Sequence, residues 1–240
     1  MNMKELNIPS VTKSIVQHLR INIIEGKLAP GQKLNEIELA EQLGVSRPPL
    51  REAFRILENE HLVFSLPRKG CYVSDVSIDD CHQIYELREF LEFGAIDCLK
   101  ERSIREIPEV SWALQLSSKG LSIPSDTSEF ELVGFQNSFP IFHLKLIKST
   151  KNEWLIRSYN MIVSNLARYQ YICYANIISG NTQKEHEQIS DLIESGDYEM
   201  AKETLRSHIR SFLSPIEKVM AKKDKIRAKQ HEKMETAKDT

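Results

Sequence analysis

The sequence predicts a mainly α-helical protein in two parts: a small N-terminal unit of helices closed by a β-hairpin, then an all-α bundle of six helices. Three observations point there. Within residues 36–59 a short helix, a glycine turn and a second, proline-started helix follow one another, and two short β-type runs come directly after. Beyond residue 78 strand signal is scarce, and apolar residues recur at helical spacing to about residue 220. At 240 residues, with 41% hydrophobic and 28% charged content, the chain can bury a sizeable core and is too apolar to be largely disordered.

Residues 1–8 read as a loose start. A helix over 10–25 follows, with Ile15, Val16, Leu19, Ile23 and Ile24 as its buried side and Gly26 as its stop. Ile37, Ala40 and Leu43 mark the next, short helix. Gly44 ends it, because a tight turn needs the positive φ that glycine takes without strain. Ser46 is placed to cap the second helix, and Pro48 and Pro49 fall in its first turn, where a missing N–H costs nothing. Leu50, Ala53, Phe54 and Leu57 form its buried stripe, while Arg47, Arg51 and Arg55 project from another face at four-residue spacing. His61 sits where the helix should end in a left-handed residue, a conformation that histidine tolerates better than most.

Two helices joined by such a turn have the form of a helix–turn–helix, in which the second helix is offered to the major groove. An arginine fork can bond O6 and N7 of guanine or clamp a phosphate. Three arginines alone would more often mark an ordinary solvated face. The stretch that follows weighs against that reading. Val63–Ser65 and Cys71–Val73 read as two strands around Leu66-Pro67-Arg68-Lys69-Gly70, a basic hairpin suited to rest on the DNA backbone or minor groove.

The run Gly26…Pro30-Gly31…Leu34-Asn35-Glu36 through Leu39-Ala40…Leu43-Gly44-Val45-Ser46-Arg47…Pro49-Leu50-Arg51-Glu52-Ala53, with Leu57…Leu62-Val63 and Pro67-Arg68-Lys69-Gly70…Val73, resembles the winged helix–turn–helix of GntR-family bacterial transcription regulators. The resemblance implies DNA contacts from Ser46, Arg47, Arg51 and the wing around Gly70, to which the exposed faces add Arg55, Arg68 and Lys69. One departure is Pro48, where relatives often carry a threonine able to reach phosphate or base. No side-chain hydrogen bond can come from position 48 here.

Net charge is only −2, so any nucleic-acid surface must be local. Residues 44–72 hold five basic against three acidic residues, which makes a modest electrostatic footprint and points to a homodimer as the source of much of the affinity. Cys71, Cys81, Cys98 and Cys173 form no C-x-x-C pair, so neither a thiolate zinc site nor a thioredoxin-like motif is suggested. No apolar run approaches the roughly 20 residues of a membrane span, and no signal-peptide core opens the chain. The expectation is a cytoplasmic protein with reduced thiols.

The winged helix–turn–helix domain is expected over 9–76, with the two reading helices at about 36–55 and the wing at about 63–73. Ser74-Asp75-Val76-Ser77 reads as a linker, and Ser77 with Asp80 as a capping box that starts the bundle. Helices are expected at about 78–102, 104–119, 126–149, 152–176, 182–195 and 197–220, with Pro140 kinking the third and Asp197 capping the last. The bundle domain thus covers 78–220. Residues 221–240 read as a charged, solvated tail.

In the bundle, Glu86-Leu87-Arg88…Leu91-Glu92, Phe142-His143…Leu146, Asn152-Glu153…Leu155 and Glu185-His186…Ile189, then Ile193…Gly196-Asp197, Ala201 and His208, resemble the FCD effector domain of the FadR-like branch. Six helices rather than seven suggest its VanR-like, metal-binding form. The resemblance implies a divalent metal (zinc, nickel, iron or manganese) held by His143, His186 and His208, and a small carboxylate effector. Arg88 and Arg168 are the candidates to meet that anion. In the family an aspartate one turn before the first histidine completes the metal site. Here that position is Phe139, which cannot ligate, and Gln136 a turn further back is a neutral substitute.

The function expected is a sequence-specific transcription regulator, a repressor, that binds double-stranded operator DNA as a homodimer under the control of a small-molecule effector. Two other readings stand beside it: the same DNA-binding role with a metal-free effector pocket, and a metal-dependent enzyme using the histidines with Glu185 or Glu187 as base. No H-E-x-x-H or similar motif supports the enzyme.

Overall fold

Glycines, prolines and short polar caps set the ends of nearly every element in the computed structural model, which describes residues 8–118, 141–177 and 182–222. Helix α1 (Ile8–Ile24) lies behind α2 (Glu36–Leu43) and α3 (Arg47–Asn59). Asn35 caps α2 by accepting the Ile37 N–H, and Gly44 closes it at φ 63°. Ser46 occupies the cap position of α3 without using its side chain there. His61 takes the left-handed conformation, φ 56°, just past α3.

Strands β2 (Val63–Leu66) and β3 (Gly70–Val73) form the expected hairpin, in which Phe64 and Tyr72 are paired and stacked. A third strand, β1 (Lys33–Leu34), pairs antiparallel with β3 and gives the order β1-β3-β2. Two residues are too few for any alternation of burial to betray a strand in sequence. Val16, Leu19, Leu50, Leu57, Leu62 and Val73 lie at the centre of this unit's core.

The second part is helical: α4 (Ile78–Glu101), α5 (Pro108–Ser118), α6 (Ile141–Ser149), α7 (Glu153–Ile177), α8 (Thr182–Ser195) and α9 (Tyr198–Ser211). Ser77 caps α4 by accepting the Asp80 N–H, as expected. The other half of a capping box is supplied from afar: the Ser77 N–H donates to the Tyr169 hydroxyl at 3.4 Å, and that hydroxyl lies 2.7 Å from Asp80 Oδ2.

Two helix boundaries differ from expectation. The second bundle helix begins at Pro108 rather than 104, because Ser103 turns left-handed at φ 53° and the chain runs non-helically to the proline. The last one is not continuous to 220. It breaks at Phe212, and helix resumes over 213–222 (α10). Pro215 explains the break, since it has no N–H to offer the Ser211 carbonyl one turn back. The early part of the expected helix 126–149, with Gln136, Phe139 and Pro140, lies outside the described residues, as does most of the tail.

Helix α7 runs through the middle. Tyr159, Val163, Leu166 and Ala167 pack into the bundle core with Ile96 and Ile147. The same helix also packs against α1. Ile24, the last residue of α1, joins the bundle core rather than that of the N-terminal unit.

Candidate functional site

Three helices each deliver one histidine to a single point. His143 sits in the first turn of the apolar helix α6, His186 early in α8 and His208 late in α9. Each presents its ring on the buried face because its neighbours at helical spacing, such as Leu146, Ile189 and Leu205, are core residues. All three are buried, at 1%, 4% and 1% exposure. Their Nε2 atoms form a near-equilateral triangle of 3.2, 3.1 and 3.2 Å. The His186 ring lies flat on Phe142 at 4.1 Å, and Phe212 meets His208 edge-on.

Carboxylates fix two of the rings from behind. Glu92 Oε2 is 2.7 Å from His143 Nδ1, and Glu185 Oε2 is 2.7 Å from His208 Nδ1. Burial alone would raise the Glu92 pKa, but the positive charge of Arg88 and the contact with His143 hold it down at about 2. The hydrogen bond from His208 lowers Glu185. Burial lowers all three imidazoles, taking His143 to about 3 with Arg88 adding to the effect. The rings are therefore neutral. An ionised carboxylate only accepts, so His143 and His208 must carry their protons on Nδ1. Their Nε2 lone pairs then face each other across 3.2 Å with no proton between them.

Glu92 also accepts from Arg88 Nε at 2.7 Å and from the Tyr159 hydroxyl at 3.0 Å. Arg88 is itself buried, at 1% exposure, and its two terminal nitrogens have no hydrogen-bond partner among the described residues. Its charge is felt at all three histidines, lowering each. The two buried N–H₂ groups of Arg88 are donors suited to an anion, while unprotonated imidazole nitrogens beside them suit a cation.

Arg168, expected to meet the effector with Arg88, is elsewhere. Its Nη2 donates to the Ser74 carbonyl at 2.8 Å, in the linker between the two parts, and its charged neighbours are Asp75 and Asp80. A buried arginine on a core helix resembles a ligand residue in sequence, but here it ties down backbone. Helix α7 makes further ties alongside it. Asn165 donates to the Glu60 carbonyl at 2.6 Å, and Ser164 Oγ lies 3.2 Å from Glu60 Oε2. Glu60, at the end of α3, is held from the other side by Arg20 of α1.

On the outer face of the N-terminal unit, Ser46, Arg47, Arg51 and Arg55 are exposed in one row along α3. Arg68, Lys69 and Gly70 are exposed at the hairpin tip, where Arg68 is left-handed at φ 62° and Gly70 has φ 107°. Arg47 and Arg51 both bond Glu36 of α2.

The helix–turn–helix with its hairpin and the three-histidine bundle correspond to two known domains. Residues 11–73 match the profile of the bacterial regulatory proteins of the gntR family, and residues 83–211 match the FCD domain. The chain belongs to the GntR family of regulators, FCD branch. This GntR regulator is 27% identical over 220 residues to an uncharacterized HTH-type regulator of Streptomyces ambofaciens, covering 91% of this chain and 90% of that one. It is 25% identical over 210 residues to a probable D-xylose utilization operon repressor of Paenarthrobacter nicotinovorans, covering 88% and 90%. A solved GntR regulator from Rhodococcus sp. RHA1 shares its fold, with TM-score 0.67 at 24% identity over 86% of this chain and 97% of that one. The GntR regulator controls transcription and is not an enzyme. No helix among its described residues is long and apolar enough to cross a membrane.

The sequence alone gives Glu92 and Tyr159 no role of their own. Glu92 stands one turn after Arg88, a spacing that signals an i,i+4 ion pair. Nothing in sequence places it against a histidine 51 residues away.

Proposed function

We propose that this regulator represses transcription as a homodimer on operator DNA, that a divalent metal sits on His143, His186 and His208, and that a small carboxylate bound there and to Arg88 releases the repression. The observation that carries the effector half is the triangle of Nε2 atoms. With their protons on Nδ1, the Nε2 lone pairs of His143 and His208 face each other at 3.2 Å, a repulsion that a shared cation removes. That spacing suits three nitrogens each at ~2.1 Å from a common ion. The all-imidazole set fits zinc, nickel, iron or manganese.

Such an ion, when bound, would supply open positions and positive charge for an anionic ligand. The rest is done by the chain's own groups. Glu92 and Glu185 set the tautomers and orient the rings. Arg88 offers two terminal nitrogens to a carboxylate, in fork geometry. Phe142 and Phe212 shield two of the rings and keep the local dielectric low.

Control of DNA binding is supported by what α7 touches. Tyr159 bonds Glu92 beside the histidines, and Ser164, Asn165 and Arg168 on the same helix hold Glu60 and Ser74. A ligand that repositions Glu92 therefore acts on the end of the reading helix and on the linker. Because dimeric helix–turn–helix proteins read half-sites at fixed spacing, a small change in that geometry weakens specific binding.

Elemental analysis with thermal melts before and after chelation tests the centre. About one metal per chain and a melting temperature lowered by roughly 5–10 °C on chelation are expected. Metal-free protein whose melt ignores chelator would instead favour a metal-free pocket. For the DNA half, Arg47→Ala and Arg51→Ala should each weaken operator binding by about 1–3 kcal/mol in a folded protein.

A further inference from the structure

The three arginines of α3 are not equivalent. Arg47 Nε lies 2.5 Å from Glu36 Oε1, and Arg51 Nε lies 3.0 Å from both oxygens of the same carboxylate. Arg55, one turn further on, has among the described residues only a long contact of 3.4 Å with the exposed Glu52. Glu36 is the first residue of α2, and Asn35 pins that turn in place by accepting the Ile37 N–H and bonding Glu38. The carboxylate is thus fixed to a short, capped helix. It reaches across the turn to the first two arginines of the reading helix.

Both arginines are gripped at Nε, the nitrogen nearest the stem. Their terminal nitrogens have no partner among the described residues, and the side chains remain 52% and 59% exposed. End-on reading of guanine O6 and N7 uses those outer nitrogens. A long arginine side chain has many rotamers to lose, and a fixed stem removes much of that freedom before DNA arrives. The carboxylate also subtracts one charge from the face, which weakens attachment to phosphate alone.

We infer that Glu36 determines specificity in DNA reading: by clamping Arg47 and Arg51 at Nε it pre-orients them for base edges and reduces their non-specific pull on phosphate. This rests on the proposed DNA-reading role of α3. Arg55, left outside the clamp, is the arginine free to follow the backbone.

The test uses the full-length protein and a duplex selected from a random pool by the parent, with a scrambled duplex of equal length as control. Glu36→Gln keeps shape and removes charge. It should bind the scrambled duplex several-fold more tightly, with a salt slope steeper by about one. Its preference for the selected over the scrambled duplex should fall about tenfold. Glu36→Asp keeps the charge on a shorter stem, so it should restore weak scrambled binding but not the full preference. Unchanged preference and salt slope in Glu36→Gln, in a variant whose melt matches the parent, would overturn the inference. Arg51→Ala separates the two levels. If it binds the selected duplex like the parent, or if selection returns no preferred sequence, the reading role of α3 itself fails and the inference with it.

Discussion

Asn165 donates its side-chain N–H to the main-chain carbonyl of Glu60 across 2.6 Å, joining the middle of the longest bundle helix to the residue that ends the reading helix. Asn165→Ala should cost about 1 kcal/mol, the usual worth of one such hydrogen bond. The larger effect should be on control. The variant should hold operator DNA while losing most of its response to ligand or metal, seen by comparing DNA titrations with metal-loaded and chelated protein. A full response in Asn165→Ala would place the coupling elsewhere.

Glu92 is the point where Arg88, His143 and Tyr159 meet without solvent. Glu92→Gln leaves the Arg88 charge buried and unpaired, a loss of about 3–5 kcal/mol in such settings. It also removes the acceptor that orients His143, and metal affinity should fall about 10–100-fold. Urea titration and competition with a chromophoric chelator read the two effects separately. A variant as stable as the parent would mean that Arg88 has another counter-charge.

The hairpin tip depends on Gly70, whose φ of 107° few side chains adopt and whose added Cβ would stand 3.3 Å from Lys33 Cε. Gly70→Ala should destabilise the protein by about 1–3 kcal/mol through backbone strain. It should also displace Arg68 and Lys69 and weaken DNA binding at low salt. Denaturation curves with parallel DNA titrations check both parts.

Cys71, opposite Ser65 in the hairpin, has its thiol pushed up to about 11 by burial, with the Glu58 charge adding to it. Because that lies above the thiol's ordinary value of 9.0, its contribution to stability is fully present below pH 9 and lost as pH rises towards 11. At pH 8 an alkylating reagent should spare Cys71 in the folded protein and label it in urea, as peptide mass spectrometry would show. Rapid native labelling would indicate that the wing opens readily.

What could be read in the sequence followed contact range. Gly44, Pro48, Pro49, Ser77 and Asp197 announce their turns and caps within a few residues, and the structure has them doing so. The histidines were legible because each sits in its own local motif, and their meeting followed from family likeness. Glu60 was not legible, since its partners Arg20 and Asn165 lie 40 and 105 residues away. Arg168 reads as an effector residue because a charge on a core helix looks like a ligand, whereas the linker carbonyl it serves leaves no sequence mark. The break at Phe212 traces to Pro215, which the helical periodicity on either side of it hides.

Under the proposed control by ligand, helix α7 would act as a lever with closely set arms. Six residues separate Tyr159 from Asn165, which along a helix is about 9 Å. An unbroken helical segment hardly compresses, so a shift imposed at Tyr159 reaches Glu60 with little attenuation and no relay of side-chain rearrangements between them. The fulcrum is the packing of α7 between α4 and α1. Sensitivity to ligand should therefore be set by how firmly those two neighbours grip the helix, and substitutions there could retune the regulator without touching either its DNA face or its histidines.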